Sequence, residues 1–131
     1  MIQRIQTLYL FIAGITSTLG AFFLPMYSVN SEQFKATAAP STFGLFGLGM
    51  ALFSGAIMLY SNRKIQLFIV RMGMLASLLT LGAILLKIKE IEGASASWGS
   101  IAPFVMILSA FMASKAIQKD ENKVRSLDRL R

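Results

Sequence analysis

Long stretches without charge dominate the pattern of polar and apolar positions along this chain. Charged residues are missing from 5–31, 36–62, 72–86 and 93–114. A helix needs about 20 mostly apolar residues to cross a hydrocarbon core about 30 Å thick. Three of these stretches are long enough, and the third in order becomes long enough if Arg71 lies within its helix. The pattern therefore predicts four membrane-spanning helices.

The predicted spans are apolar on all sides, and so lack the charged face that a helix of a soluble bundle shows. They are placed at 7–27, 42–60, 66–86 and 98–114. We predict one domain over residues 1–131, with an all-α fold: an integral membrane four-helix antiparallel bundle. Residues 115–131 lack Gly and Pro and are rich in helix formers, so we expect the last helix to continue as a cytoplasmic C-terminal extension.

Composition and charge distribution extend this picture. Only 15% of the residues are charged, against about 25% in soluble proteins, which argues against intrinsic disorder and an ordinary soluble enzyme. The net charge is +7, and with four spans ten of the thirteen basic residues fall on the side of both termini. The positive-inside rule places that side in the cytoplasm, so we expect a multi-pass protein with both termini cytoplasmic.

Aromatic residues and the N-terminal sequence fit the same topology. Tyr9 and Tyr60 fall at the predicted cytoplasmic ends of spans, whereas Tyr27 and Trp98 fall at the opposite ends, as interfacial anchors do. Tyr9 and Tyr27 would be separated by about 27 Å of helix. The A-x-A-like site at 36–38 lies well beyond the apolar run, so we expect an uncleaved first span rather than a secretory signal.

Small residues at four-residue spacing mark the expected helix contacts, because helices in lipid associate through close packing. The second span carries Gly47, Ala51 and Gly55 as its candidate packing stripe. One alternative is packing within the bundle, and the other is docking of a partner helix. The other spans carry comparable sets: Ala13, Ser17 and Ala21; Gly73 and Ser77; Ser109 and Ala113.

The residue inventory limits the chemistry. The chain has no Cys and no His, which excludes disulfides, thiolate chemistry and the common zinc sites. We expect no catalytic, metal or cofactor site. Arg71 is the one ionisable residue within a predicted span, about one turn inside it; its guanidinium would either snorkel to the interface or bind a lipid headgroup or a partner carboxylate. We interpret Glu90 and Glu92 as solvated loop charges.

The C-terminal segment interleaves acids and bases. Helical spacing predicts the pairs Asp120–Lys123, Glu121–Arg125 and Asp128–Arg131. A solvated orientation signal, a helix that docks on protein and a lipid-binding helix all remain open, whereas the lack of an aromatic residue argues against nucleic acid. The candidate docking residues of the two ends are Arg4, Asp120, Glu121, Arg125, Asp128, Arg129 and Arg131.

The two ends also carry a family resemblance. The opening MIQRIQTLYL and the ending KDENKVRSLDRLR, which closes on Asp128, Arg129, Leu130 and Arg131, resemble those of a bacterial family of small four-span inner-membrane proteins, domain of unknown function family 4293. The resemblance implies an inner membrane within a two-membrane envelope, and it implies no reaction.

Three functional hypotheses follow. The first is a non-catalytic accessory or interaction subunit that contacts the lipid bilayer and a larger membrane-protein partner. The alternative is a protein that binds lipid or a small apolar molecule in a cavity lined by some of its eight Met and ten Phe residues. A transporter or membrane enzyme is disfavoured, because ionisable residues are scarce within the spans.

Overall fold

Four long helices make up most of the chain. The computed structural model describes residues 2–59 and 61–129, with side chains described throughout except at 2–4, 38 and 128. All four helices are long and apolar enough to span a membrane. Four helices were predicted, and α4 also confirms the predicted helical continuation beyond residue 114. The helices are α1 (Ile2–Phe22), α2 (Pro40–Met58), α3 (Arg63–Glu90) and α4 (Ala102–Arg129).

The first helix ends earlier along the chain than the predicted span 7–27. Helix α1 ends at Phe22, and an extended strand begins at Pro25, a residue that has no N–H to donate and that disfavours helical backbone in the residue before it. Tyr27 lies in this strand and its ring stacks on Phe34, with ring centroids 5.3 Å apart. The predicted helical separation of Tyr9 and Tyr27 is therefore wrong.

A three-stranded sheet, absent from the all-α prediction, lies at one end of the helices. Its strands are β1 (Pro25–Val29), β2 (Glu32–Lys35) and β3 (Ala94–Ala96), in the order β2-β1-β3. Both pairings are antiparallel, with Tyr27 opposite Phe34 on one side and Ala96 on the other. Asn30 and Ser31 connect β1 to β2 with φ of 50° and 72°, the left-handed backbone that a two-residue type I′ hairpin turn requires.

Each helix packs against two others: α1 and α3 both contact α2 and α4. The interior is filled by large side chains with no exposed surface, among them Phe46, Phe53 and Met106. Phe53 lies against Gly73 so closely that a Cβ there would lie 2.6 Å from its ring. The glycine therefore permits the close packing of α2 on α3.

The two ends of the helices differ, and we name them by their contents. The sheet end carries the three strands. The terminal end is where α1 begins, α2 is followed by α3, and α4 extends. There the Gln6 amide donates to the Ala116 carbonyl at 3.2 Å, and the Gln66 amide donates to the Ala56 carbonyl at 2.9 Å. Both glutamine side chains are buried.

Candidate functional site

The predicted packing stripe of α2 faces away from the other three helices. A Cβ added at Gly47 or Gly55 would meet nothing within 4 Å, and the same holds at the neighbouring Gly44. Ala51, between them, is exposed. No described residue of the chain therefore packs against this stripe, so packing within the bundle does not explain its small residues. The stripe presents bare backbone on the outside of the molecule.

The opposite face of α2 carries its buried phenylalanines. Phe46 and Phe53 are fully buried there, and Gly49 lies between them close to Met106. Small-residue spacing alone could not indicate this arrangement, since it is compatible with either face of a helix. Burial of Phe46 and Phe53 determines which face of α2 points inward, and this leaves the small residues on the outer surface.

The small residues of the other helices pack inside the molecule. Ala13 and Ser17 of α1 are fully buried, and the Ser17 hydroxyl donates to the Phe46 carbonyl at 2.5 Å. Ser77 of α3 is equally buried and donates to the carbonyl of Gly73 in its own helix. Ala113 of α4 is also buried. The stripe of α2 is thus the one of the four predicted sets that points outward.

Two acids of the C-terminal segment, Asp120 and Glu121, form ion pairs within the chain. Glu121 lies 3.1 Å from Arg125, which confirms one predicted pair. Asp120 instead lies 2.9 Å from the Arg63 Nε of α3, so the predicted pair with Lys123 is wrong. Helix packing is the reason, because α4 lies against α3 here and brings a second cation to the carboxylate. Asp120 and Glu121 of the predicted docking set are therefore engaged within the molecule, whereas the side chain of its third acid, Asp128, lies outside the described residues.

The remaining predicted residues are dispersed. Arg71 is exposed on α3, eight residues after the helix begins, or about 12 Å along it. Arg129 is exposed at the end of α4. The side chains of Arg4 and Asp128, and all of Arg131, lie outside the described part of the chain. The structure thus brings no compact docking cluster together from the described members of the set.

Glu90 is the last residue of α3, and Glu92 lies in the turn that follows it. Glu90 lies 3.7 Å from Lys87 of its own helix, and both glutamates are exposed. Within the described residues, no group of three or more His, Cys, Asp or Glu side chains is placed to hold a metal ion.

A row of lysines is the feature that the sequence reasoning missed. Lys115, Lys119 and Lys123 are exposed at successive four-residue intervals on α4. They border a groove of about 310 Å³ between α1 and α4, whose apolar lining includes Ile5, Tyr9 and Met112. The four-residue spacing of these lysines can be read from the sequence. Asp120 and Glu121 lie among them, however, and only the structure shows that these acids pair with Arg63 and Arg125 instead.

Comparison with known proteins places nearly the whole chain in one family. The model of the family described as Domain of unknown function (DUF4293) matches residues 2–130. No curated protein and no solved structure matches the chain.

Proposed function

The chain belongs to the family described as Domain of unknown function (DUF4293), and we propose that it is an accessory subunit of a larger membrane complex. In this proposal the four helices form an antiparallel bundle embedded in the bacterial inner membrane, with both termini cytoplasmic. The outward stripe of α2, defined by Gly47, Ala51 and Gly55, is the observation that carries the proposal. It is the surface that would receive a helix of the partner.

The physical argument rests on how helices associate in lipid. Apolar side chains are solvated by lipid tails, so association depends on close van der Waals contact between helices. Side chains at an interface limit how near two backbones can come. At Gly47 and Gly55 nothing stands above the α2 backbone, and a second helix can approach to the distance at which Cα–H groups contact carbonyl oxygens.

The outward surfaces of the other helices differ from the stripe in the size of their side chains. Large apolar side chains cover it, including Phe68 of α3, which is 63% exposed, and Phe104 of α4, which is 57% exposed. Such side chains suit contact with fluid lipid tails. The small residues of α2 differ from them in size rather than in polarity, which is the distinction that favours contact with protein.

The interior favours a surface role over an enclosed ligand. Phe46, Phe53 and Met106 occupy the middle of the packed helices without exposure. The hypothesis of an apolar ligand in a Met- and Phe-lined interior cavity would require these side chains to move aside. Binding through the surface needs no such rearrangement.

Charge distribution supports the proposed orientation. Arg63, Lys64, Lys115, Lys119 and Lys123 belong to the terminal end of the helices, where α3 begins and α4 extends. The strands at the opposite end carry one acid, Glu32, and one base, Lys35. An excess of basic residues on the side of the termini is what the positive-inside rule requires of a cytoplasmic side.

Recovery of the partner from native membranes tests the proposal. The double variant Gly47→Leu/Gly55→Leu covers the stripe, whereas Gly82→Leu adds the same side chain at an open position on α3. After gentle detergent extraction and mass spectrometry, we expect the wild type and Gly82→Leu to retain a membrane-protein partner and the double variant to lose it. All three should unfold at similar temperatures.

Two results would refute the proposal. One is recovery of the wild type as a bare monomer or homo-oligomer. The other is equal recovery of a partner by the double variant and by Gly82→Leu. A photocrosslinking residue at Ala51, compared with one at the exposed Leu75 of α3, separates contact at the stripe from a distant effect.

A further inference from the structure

The groove between α1 and α4 at the terminal end combines two kinds of surface. One wall is apolar and includes Ile5, Tyr9 and Met112. The other is the lysine row, which we define as Lys115, Lys119 and Lys123. The three lysines are spread over eight residues of α4, or about 12 Å along the helix axis. An occupant must therefore be apolar at one end and negatively charged at the other.

The charge of the lysine row is not compensated by the neighbouring acids. Asp120 is engaged by Arg63 and Glu121 by Arg125. No described carboxylate lies within ion-pair distance of the three lysines. Lys115 has its ammonium 4.8 Å above the Phe111 ring, a cation–π contact that leaves its charge uncompensated. Among the described residues, the three lysines thus line the groove without a carboxylate counter-ion.

The position of the groove along the helices matches a membrane boundary. Its apolar wall lies beside uncharged sequence, since the candidate span of α1 begins at Ile5 and Met112 falls within the uncharged stretch 93–114. Lys115 is the first charged residue after the uncharged stretch 93–114. In a membrane the apolar wall would face acyl chains, and the lysine row would lie at the level of the headgroups.

From these three observations we propose that the groove is a binding site for an anionic phospholipid. The lysine row binds the phosphate of the headgroup, and one acyl chain lies against Ile5, Tyr9 and Met112. Basic pockets between transmembrane helices bind such headgroups through charge complementarity. The site requires the membrane embedding proposed above, but it involves a different face from the stripe of α2 and is independent of any protein partner.

Native mass spectrometry of the purified full chain tests this site. The protein is titrated with phosphatidylglycerol and, separately, with zwitterionic phosphatidylcholine. We expect the triple variant Lys115→Gln/Lys119→Gln/Lys123→Gln to lose at least about tenfold in affinity for phosphatidylglycerol, because each lysine contributes to headgroup attraction. The matched control Lys64→Gln/Lys89→Gln/Arg129→Gln removes the same net charge at exposed positions elsewhere and should change that affinity less than about twofold.

A second variant tests the apolar wall while preserving the charge. Met112→Trp places a larger side chain in the groove, and we expect it to weaken phosphatidylglycerol binding with little change in unfolding temperature. Excess inorganic phosphate distinguishes the source of the anion. If phosphate displaces phosphatidylglycerol and Met112→Trp has no effect, the groove is a site for free anions and the lipid proposal is wrong.

Two other outcomes also overturn the proposal. Equal loss of lipid in the two triple variants would show that net charge alone attracts the lipid. Unchanged lipid binding in the lysine variant, together with loss of a protein partner, would make the lysine row a protein contact. Loss of lipid with full retention of the partner would support the lipid site and leave the proposed subunit role intact.

Discussion

At the sheet end of the molecule the chain is held by backbone hydrogen bonds, whereas at the terminal end it is held by particular side chains. Strand β1 pairs with β2 on one side and with β3 on the other, and the Ser97 amide donates to the Met26 carbonyl at 3.2 Å. The terminal end relies on Gln6, Gln66 and the Arg63–Asp120 pair.

This difference has a consequence for substitutions. Backbone pairing depends weakly on side-chain identity, so changes at the exposed positions of the sheet end should cost little unless they obstruct the backbone itself. Contacts at the terminal end use specific functional groups in partly or fully buried places. Removing one group there leaves its partner without compensation, and the free-energy cost follows the burial of that partner.

The largest effect is expected at Gly99, where the backbone of the sheet end is most crowded. A Cβ at this position would lie 2.2 Å from the Pro25 carbonyl oxygen. Because the obstacle is backbone within β1, relief requires displacement of the strand. We expect Gly99→Ala to lower the free energy of unfolding by about 3 kcal/mol or more, measured by thermal unfolding in detergent.

Gly82→Ala is the matched control for this prediction, since a Cβ there meets nothing within 4 Å. It should leave the unfolding temperature unchanged or slightly raised. Similar unfolding temperatures for the two variants would mean that the sheet end yields easily, and the comparison between the two ends would fail.

A smaller loss is expected from Asp120→Asn at the terminal end. The Arg63 and Asp120 side chains are 28% and 15% exposed, which places their pair between exposed and buried salt bridges. We expect the substitution to cost about 1–2 kcal/mol, because it leaves a partly buried guanidinium without its counter-ion. Thermal unfolding at low and high salt measures the effect and its modest screening.

Glu121→Gln provides the comparison for that pair. It removes a carboxylate whose partner, Arg125, lies in the same helix and is 62% exposed. Such a pair is worth a few tenths of a kcal/mol, so the variant should unfold close to the wild type. Equal costs for the two substitutions would show that the contact between helices adds nothing beyond a surface pair.

An effect smaller than that of Asp120→Asn is expected at Gln66. Its amide donates to the Ala56 carbonyl, which also accepts a hydrogen bond from the Leu59 amide. Because that second donor remains, and because the Gln66 Oε1 is itself buried without a hydrogen-bond partner, we expect Gln66→Leu to cost less than about 1 kcal/mol. Gln33→Leu, at an exposed position of β2, should change the unfolding temperature little, and a larger loss there would contradict the assigned role of Gln66.

The sequence predicted those features that depend on neighbouring residues. Four helices follow from local runs of uncharged residues, and the Glu121–Arg125 pair follows from helical spacing. The sheet was missed because its strands are short and because β1 and β3 lie in different connections between helices, although Tyr27 and Ala96 pair in the structure. No local alternation of polar and apolar residues marks such a pairing.

The candidate surfaces show the same limit. Residue size and spacing identified the small residues of α2, but the direction in which they point depends on where Phe46 and Phe53 find room among the other helices. The Arg63–Asp120 pair likewise requires the relative positions of α3 and α4. Both depend on tertiary packing, which a pattern within one segment does not contain.

The pairing of β1 with β3 imposes an order on synthesis. Strands β1 and β2 can pair as soon as the first connection is complete, but the other edge of β1 stays open until the chain has grown past α3 and residue 96. An open strand edge can pair with any extended chain nearby. During biosynthesis, the incomplete protein can therefore mispair at this edge of β1 until β3 has been made. A chain truncated before residue 94 would keep that edge unpaired.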